Sequence, residues 1–175
     1  MHTVKMHSAL LILSALPSAF AIHAYSVPTA LSLQEADTSN PCVLPDDYHI
    51  KGYSAESESD GETLSSFSFT FLDDTTNVTT PCEFNSSSVS VPGNGTPRYQ
   101  CDNTDVEFIW QNATQYLTMV ERVCPDASGA EAYEVAGSTR IWLKCPESGG
   151  ACTTNSTDYK SLFVSLSPVM SPSRI

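Results

Sequence analysis

Catalysis needs a tuned acid, base or nucleophile, and the chain carries few side chains in patterns that supply one. Beyond its first 21 residues the histidines are His23 and His49. His23 falls in an aperiodic stretch; His49 sits between Tyr48 and Ile50 on an alternating segment, the pattern of a solvent-facing side chain. No G-x-S-x-G elbow and no H-E-x-x-H pair occurs. The 20 Asp and Glu offer many possible pairs for a two-carboxylate hydrolase, but none is marked out by its spacing. Glu56-x-Glu58-x-Asp60-Gly61 looks like the first half of a calcium loop, where alternate carboxylates turn onto one cation. The twelfth position of that loop would be Phe67 instead of a bidentate Glu, so a solvated hairpin loop is the better reading. No metal or other cofactor is expected.

Two further sets of residues bear on chemistry. All 6 cysteines (Cys42, Cys82, Cys101, Cys124, Cys145 and Cys152) lie downstream of the leader, and an even count outside the cell reads as three disulfides. There is no C-x-x-C pair, so zinc is a poor competitor. Count alone leaves every pairing open. Asn77, Asn85, Asn94, Asn112 and Asn155 fit the N-x-S/T rule and mark exposed loops or strand ends. The other set is Arg140, Trp142 and Lys144, which alternate with Ile141, Leu143 and Cys145. A strand there puts the cations and the indole on one outer face, and Trp and Arg are typical of binding hot spots; the competing reading is a loop covering Trp142 or a face inverted by a bulge at Gly137. They stand out because the formal net charge is −12.

These residues must be positioned by strands. Asp47–Ala55 and Glu62–Leu72 alternate, with Phe67, Phe69 and Phe71 on one face and Ser66, Ser68 and Thr70 on the other. Asp60-Gly61 between them is a hairpin signal, because Gly accepts the positive φ of a tight turn. Val78–Phe84 carries Pro81 and belongs at an edge or bulge. Ser87–Val91, Arg98–Cys101, Val106–Gln111, Gln115–Cys124, Glu131–Ala136, Ser138–Cys145 and Tyr159–Leu166 complete the strands, with a bend or bulge at Gly137. Val106, Phe108 and Trp110 share one face, as do Leu117 and Met119. Short strands at regular spacing, with turn residues between them, predict an all-β, compact antiparallel barrel or sandwich of about nine to eleven strands.

Composition sets the compartment. Lys5, the apolar run Ala9–Leu16 and Ala19-Phe20-Ala21 read as a cleaved signal peptide over residues 1–21. Residues 22–41 form an irregular lead-in, 42–168 one domain, and 169–175 a tail. The expected product is secreted and extracellular. Its acidity opposes nucleic acid and anionic membranes, both of which require Lys and Arg to neutralise phosphate.

In order and spacing the residues resemble the fungal Alternaria major-allergen (AA1-like) family of secreted proteins. Asp47-Tyr48-x-Ile50 followed by Tyr53-Ser54-Ala55 is similar to its opening strand, and Ser65-x-Phe67-x-Phe69 with Cys82 follows in place. Tyr99-Gln100-Cys101, Val106-x-Phe108 and Leu117-Thr118-Met119 resemble its middle. Cys145, Cys152, Tyr159-x-x-Leu162, Leu166 and Pro168 resemble its closing strand, so the likeness runs from Cys42 to Pro168. The resemblance implies a disulfide-stapled β-barrel in a glycoprotein of allergen, effector or elicitor type, linked to virulence and without an established catalytic site. It also implies a host plant extracellular protein or a small phenolic ligand as partner, and a monomer or homodimer. Family spacing pairs Cys82 with Cys101 and Cys145 with Cys152. Cys124 is extra to the pattern and its natural partner is Cys42; in the family a cysteine near that position can bridge to a second chain.

Three functions are carried forward. A non-catalytic binding protein is first, a barrel carrier of a small hydrophobic ligand second, and an extracellular hydrolase third. A carrier needs small residues facing inward, whereas Phe67, Phe69, Phe71, Phe108 and Trp110 would fill a small barrel.

Overall fold

Alternation decides the first sheet. In the computed structural model, which describes residues 42–58, 62–92, 95–125, 129 and 131–169, β1 (Asp47–Ser57) and β2 (Leu64–Asp73) pair antiparallel. The expected signal peptide and lead-in, Asp60-Gly61, Asn94 and residues 170–175 lie outside the described residues. Phe67, Phe69 and Phe71 of β2 are all buried. On β1 the buried set shifts from Tyr48 and Ile50 to Tyr53 and Ala55. The ladder register slips between Lys51 and Ser54, and Gly52 sits in the slip at φ 63°, a bulge that returns the strand's apolar side chains to the core.

β3 (Val78–Phe84) closes one edge of this sheet, where Pro81 opposes Thr70 without breaking an inner ladder. β11 (Asp158–Leu162) adds on the other side of β1, giving the order β11-β1-β2-β3, and β9 (Gly150–Ala151) pairs with the far end of β1. The second sheet runs β12-β7-β6-β5-β4, from β4 (Tyr99–Gln100), β5 (Val106–Gln111), β6 (Tyr116–Pro125), β7 (Glu131–Arg140) and β12 (Ser165–Pro168). A separate ribbon pairs β8 (Leu143–Lys144) with β10 (Thr153–Thr154). The fold is all-β and antiparallel, with three disulfides: Cys42–Cys124, Cys82–Cys101 and Cys145–Cys152.

Between the sheets lies one core. Phe67 and Phe69 approach Phe108 edge-on at 5.6 and 5.5 Å, and Tyr53 and Phe67 both meet Trp110. These rings occupy the space in which a carrier's ligand would sit. Edge-to-face and offset packing of this kind adds about 0.5–1.5 kcal/mol per pair beyond area burial.

Of the two expected architectures the sandwich is the one formed: among the described residues the sheets do not close into a barrel, two five-stranded sheets pack face to face, and the ribbon brings the strands to 12. Three strand expectations need correction. Ser87–Val91 forms no strand: Ser87 and Ser88 instead bond back to Asn85 in a turn. Gly137 is no bend, and β7 runs straight through it. A Cβ there would collide with the Leu162 carbonyl and come within 2.9 Å of the Tyr48 ring, so the glycine permits close passage of the neighbouring chain. The segment Tyr159–Leu166 is two strands. The chain changes sheets at Phe163 and Val164, whose N–H groups donate to Asp46 and Ala136. Phe163 is buried at the crossing, against Tyr48.

Candidate functional site

The expected outer face begins where β7 ends. Ile141 is fully buried and anchors the chain, while Trp142 beside it is 51% exposed. Ser138–Cys145 is therefore not one strand: β7 stops at Arg140 and β8 resumes at Leu143. The break is held by Gln115, in the β5–β6 turn at φ 56°. Its backbone carbonyl accepts from Ile141 N–H at 2.9 Å. Its side-chain amide clips both sides of Leu143, donating to the carbonyl at 3.2 Å and accepting from the N–H at 3.3 Å. One amide thus imitates a neighbouring strand, satisfying backbone groups that would otherwise lack partners.

Beyond Lys144 the chain doubles back through Cys145–Cys152 into β10, with Thr153 opposite Lys144 and Thr154 opposite Leu143. The arm is tied down again where Cys152 N–H donates to Ala55 O at 2.9 Å. The result is a stapled ribbon whose side chains are presented without much residual freedom, which lowers the ordering cost of binding.

Arg140, Trp142 and Lys144 are all exposed. The Arg140 guanidinium lies over the Trp142 ring, 3.7 Å from its centroid. Such stacking contributes about 0.5–1 kcal/mol at an exposed site and fixes the direction of the guanidinium fork. Neither Arg140 nor Lys144 has an acidic partner among the described residues. Tyr116, directly opposite Arg140 in the β6–β7 ladder and 41% exposed, extends the patch. Nothing in the sequence pointed to Tyr116, because only the register makes it a neighbour. Trp142, Leu143, Lys144, Thr153, Thr154 and Asn155 line a depression of about 340 Å³.

A second cluster went unforeseen. On the outer side of the second sheet, Arg122 Nη2 donates to Glu107 Oε1 at 2.8 Å and Arg98 Nη1 to Glu134 Oε2 at 3.0 Å. Crosswise approaches of 3.6 Å join Arg98 to Glu107 and Arg122 to Glu134. Burial works against the charge on Arg98, but the two glutamates outweigh it and raise its pKa. This quartet floors a groove of about 680 Å³, rimmed by Val91, Pro97 and Pro168. Glu107 and Glu134 are two carboxylates of one cluster, yet each is bridged to both arginines. Neither has the apolar or like-charged surroundings that a general acid requires.

A third cluster lies at the end of β2. Asp73 and Glu121 are both buried, Thr76 Oγ1 donates to Glu121 Oε1 at 2.9 Å, and Asp73 Oδ1 accepts from Thr75 N–H. Burial, followed by the Asp73 charge, pushes the Glu121 pKa up to about 8. No group of three or more potential metal ligands occurs among the described residues.

His49 is half-buried, with Nδ1 2.8 Å from Asp158 Oδ1 on the adjacent strand, a pairing within the sheet surface. Of the sequons, Asn77, Asn112 and Asn155 are exposed and Asn85 is half-buried. Glu56 and Glu58 are exposed at the end of β1; the Asp60 of the calcium-like pattern is not among the described residues.

No family model and no curated protein matches the chain. Among the solved structures similar to it are two of one allergen. One crystal structure of the Alternaria alternata major allergen Alt a 1 aligns with a TM-score of 0.47 and 10% identity, covering 72% of this chain and 96% of that one. A second crystal structure of Alt a 1 aligns with a TM-score of 0.47 and 12% identity, covering 70% of this chain and 88% of that one.

Proposed function

We propose that this is a secreted, non-catalytic binding protein of the effector or allergen type. It engages a host extracellular protein or a small aromatic ligand through Tyr116, Arg140, Trp142 and Lys144. The observation that carries this reading is the Arg140 guanidinium stacked on an exposed Trp142, at the root of a disulfide-stapled ribbon. A stacked guanidinium offers a planar fork to a carboxylate while the indole edge and Tyr116 offer apolar contact, the combination found at hot spots. Partners with an acidic group next to an aromatic ring fit best. The sequence resemblance supports the same class. An interior carrier is disfavoured by the rings packed between the sheets, and the groove above Arg98 and Arg122 is the runner-up location for a small ligand.

The test is capture from plant extracellular fluid on the mature, oxidised protein. Arg140→Ala with Trp142→Ala should lose most of the capture while its melting temperature stays within a few degrees of the parent's. Undiminished capture by the folded double variant overturns the assignment.

A further inference from the structure

The register of the stapled ribbon places a modification site against the aromatic centre of the patch. Thr153 opposes Lys144 and Thr154 opposes Leu143. Carrying that antiparallel register one step outward sets Asn155 opposite Trp142, and the two residues line the same depression. Directly opposed side chains on one face of an antiparallel pair lie about 4.5–5.5 Å apart at Cβ. Asn155-Ser156-Thr157 is a sequon. Tyr159 Oη donates to Asn155 Oδ1 at 2.9 Å, which turns the amide so that Nδ2 points away from Tyr159. Among the exposed sequons, Asn112 instead commits Nδ2 to the Glu62 carbonyl, and Asn77 sits in the β2–β3 turn.

We propose that Asn155 carries an N-linked glycan whose first sugar packs into the depression against Trp142, so that occupancy of this sequon sets how much of the patch a partner can reach. The transfer is a substitution at the anomeric carbon of a lipid-diphosphate-activated oligosaccharide. The Asn155 Nδ2–C1 bond forms, the C1–O bond to the diphosphate breaks, the amide loses one proton to a base, and the lipid diphosphate leaves. No oxidation state changes. A pyranose presents a face of C–H groups suited to an indole; Arg140 lies over the Trp142 ring, and Trp142 and Asn155 line one depression. The remaining amide N–H and Oδ1 stay available, so the Tyr159 bond survives modification. The packing depends only on the sequon and the ribbon, whereas the gating rests on the binding reading given above.

The experiment uses the full chain secreted from a eukaryotic host, compared with Thr157→Ala and Asn155→Gln from the same host. Thr157→Ala abolishes the sequon but keeps the Asn155 amide and its bond from Tyr159, separating loss of sugar from loss of the side chain. Hydroxyl-radical footprinting read by peptide mass spectrometry should show Trp142 labelled several-fold less in the parent than in either variant, with Trp110 unchanged. Asn155 found without glycan, or Trp142 labelled equally in all three proteins, overturns the proposal. In the capture assay Thr157→Ala should retain more partner than the parent. Equal capture alongside a shielded Trp142 overturns the gating and leaves the sugar–indole packing standing.

Discussion

Glu107 and Glu121 sit on neighbouring strands of one sheet, 1% and 2% exposed, and the protein accommodates them in opposite ways. Glu107 points to the outer face, where Arg122 and Arg98 lie against its carboxylate at the floor of the groove. Glu121 points inward, in phase with Leu117 and Met119, and meets Thr76 and a second carboxyl, Asp73. One carboxyl is met by two arginines; the other is buried holding a proton. Asp73 Oδ2 and Glu121 Oε2 are buried and have no hydrogen-bond partner among the described residues, and a proton on Glu121 gives the pair a donor. The difference teaches that burial of a glutamate says little about its role until the sign of its neighbours is known.

Breaking the paired site should have the largest effect. Glu107→Gln leaves Arg122 and Arg98 facing a neutral amide, and stability in urea should fall by roughly 3 kcal/mol at neutral pH. A fall below roughly 1 kcal/mol would mean that Glu134 alone holds both arginines.

The protonated site should show itself through pH. The folded pKa of Glu121, about 8, lies above the ordinary 4.5, so the folded state holds a proton that the unfolded chain has released between those values. Its contribution is therefore fully present below about pH 4.5, is lost as pH rises toward 8, and changes no further above that. Glu121→Gln mimics the protonated form: its carbonyl can accept from Thr76 while its amide donates to Asp73. The variant should lack this slope and exceed the parent by a few kcal/mol above pH 8, measured as unfolding midpoints across pH. Parallel profiles for parent and variant would show that Glu121 titrates normally.

Smaller effects sharpen the contrast. Arg98→Ala removes a side chain that is 39% exposed and should cost about 1 kcal/mol, since Arg122 still serves Glu107. Lys160→Ala breaks the surface pair with Asp47 at 2.8 Å and should leave the unfolding midpoint unchanged. A clear loss there would mean that surface pairing counts for more in this chain than burial does.

Much of this fold was legible where the signal is local. Phe67, Phe69 and Phe71 name their own core face by spacing, and Pro81 names its strand as an edge. Trp142 and its two cations were marked by composition against an acidic background, and the structure exposes all three. What could not be read depends on distant partners. Gln115 interrupts β7 and β8 through bonds to Ile141 and Leu143, nearly 30 residues away in sequence, and no pattern near Trp142 announces them. Glu107 alternates as a solvent-facing residue would, yet it is buried, with Arg98 and Arg122 against its carboxylate. Glu121 was in phase with Leu117 and Met119, a signal that a strict reading of period two would have caught. Gly137 was misread because a bend and a close approach call for the same residue type.

The central claim is that the stapled ribbon, and neither the groove above the arginines nor the interior, is where this protein binds. Hydrogen exchange of the mature, oxidised protein, alone and with the fraction of plant extracellular fluid that it retains, tests this directly. Protection should rise across residues 140–155 and in the turn holding Gln115 and Tyr116, with residues 90–98 and 165–169 unchanged. Protection confined to the groove segments would contradict the claim and move the binding site to the arginine–glutamate quartet.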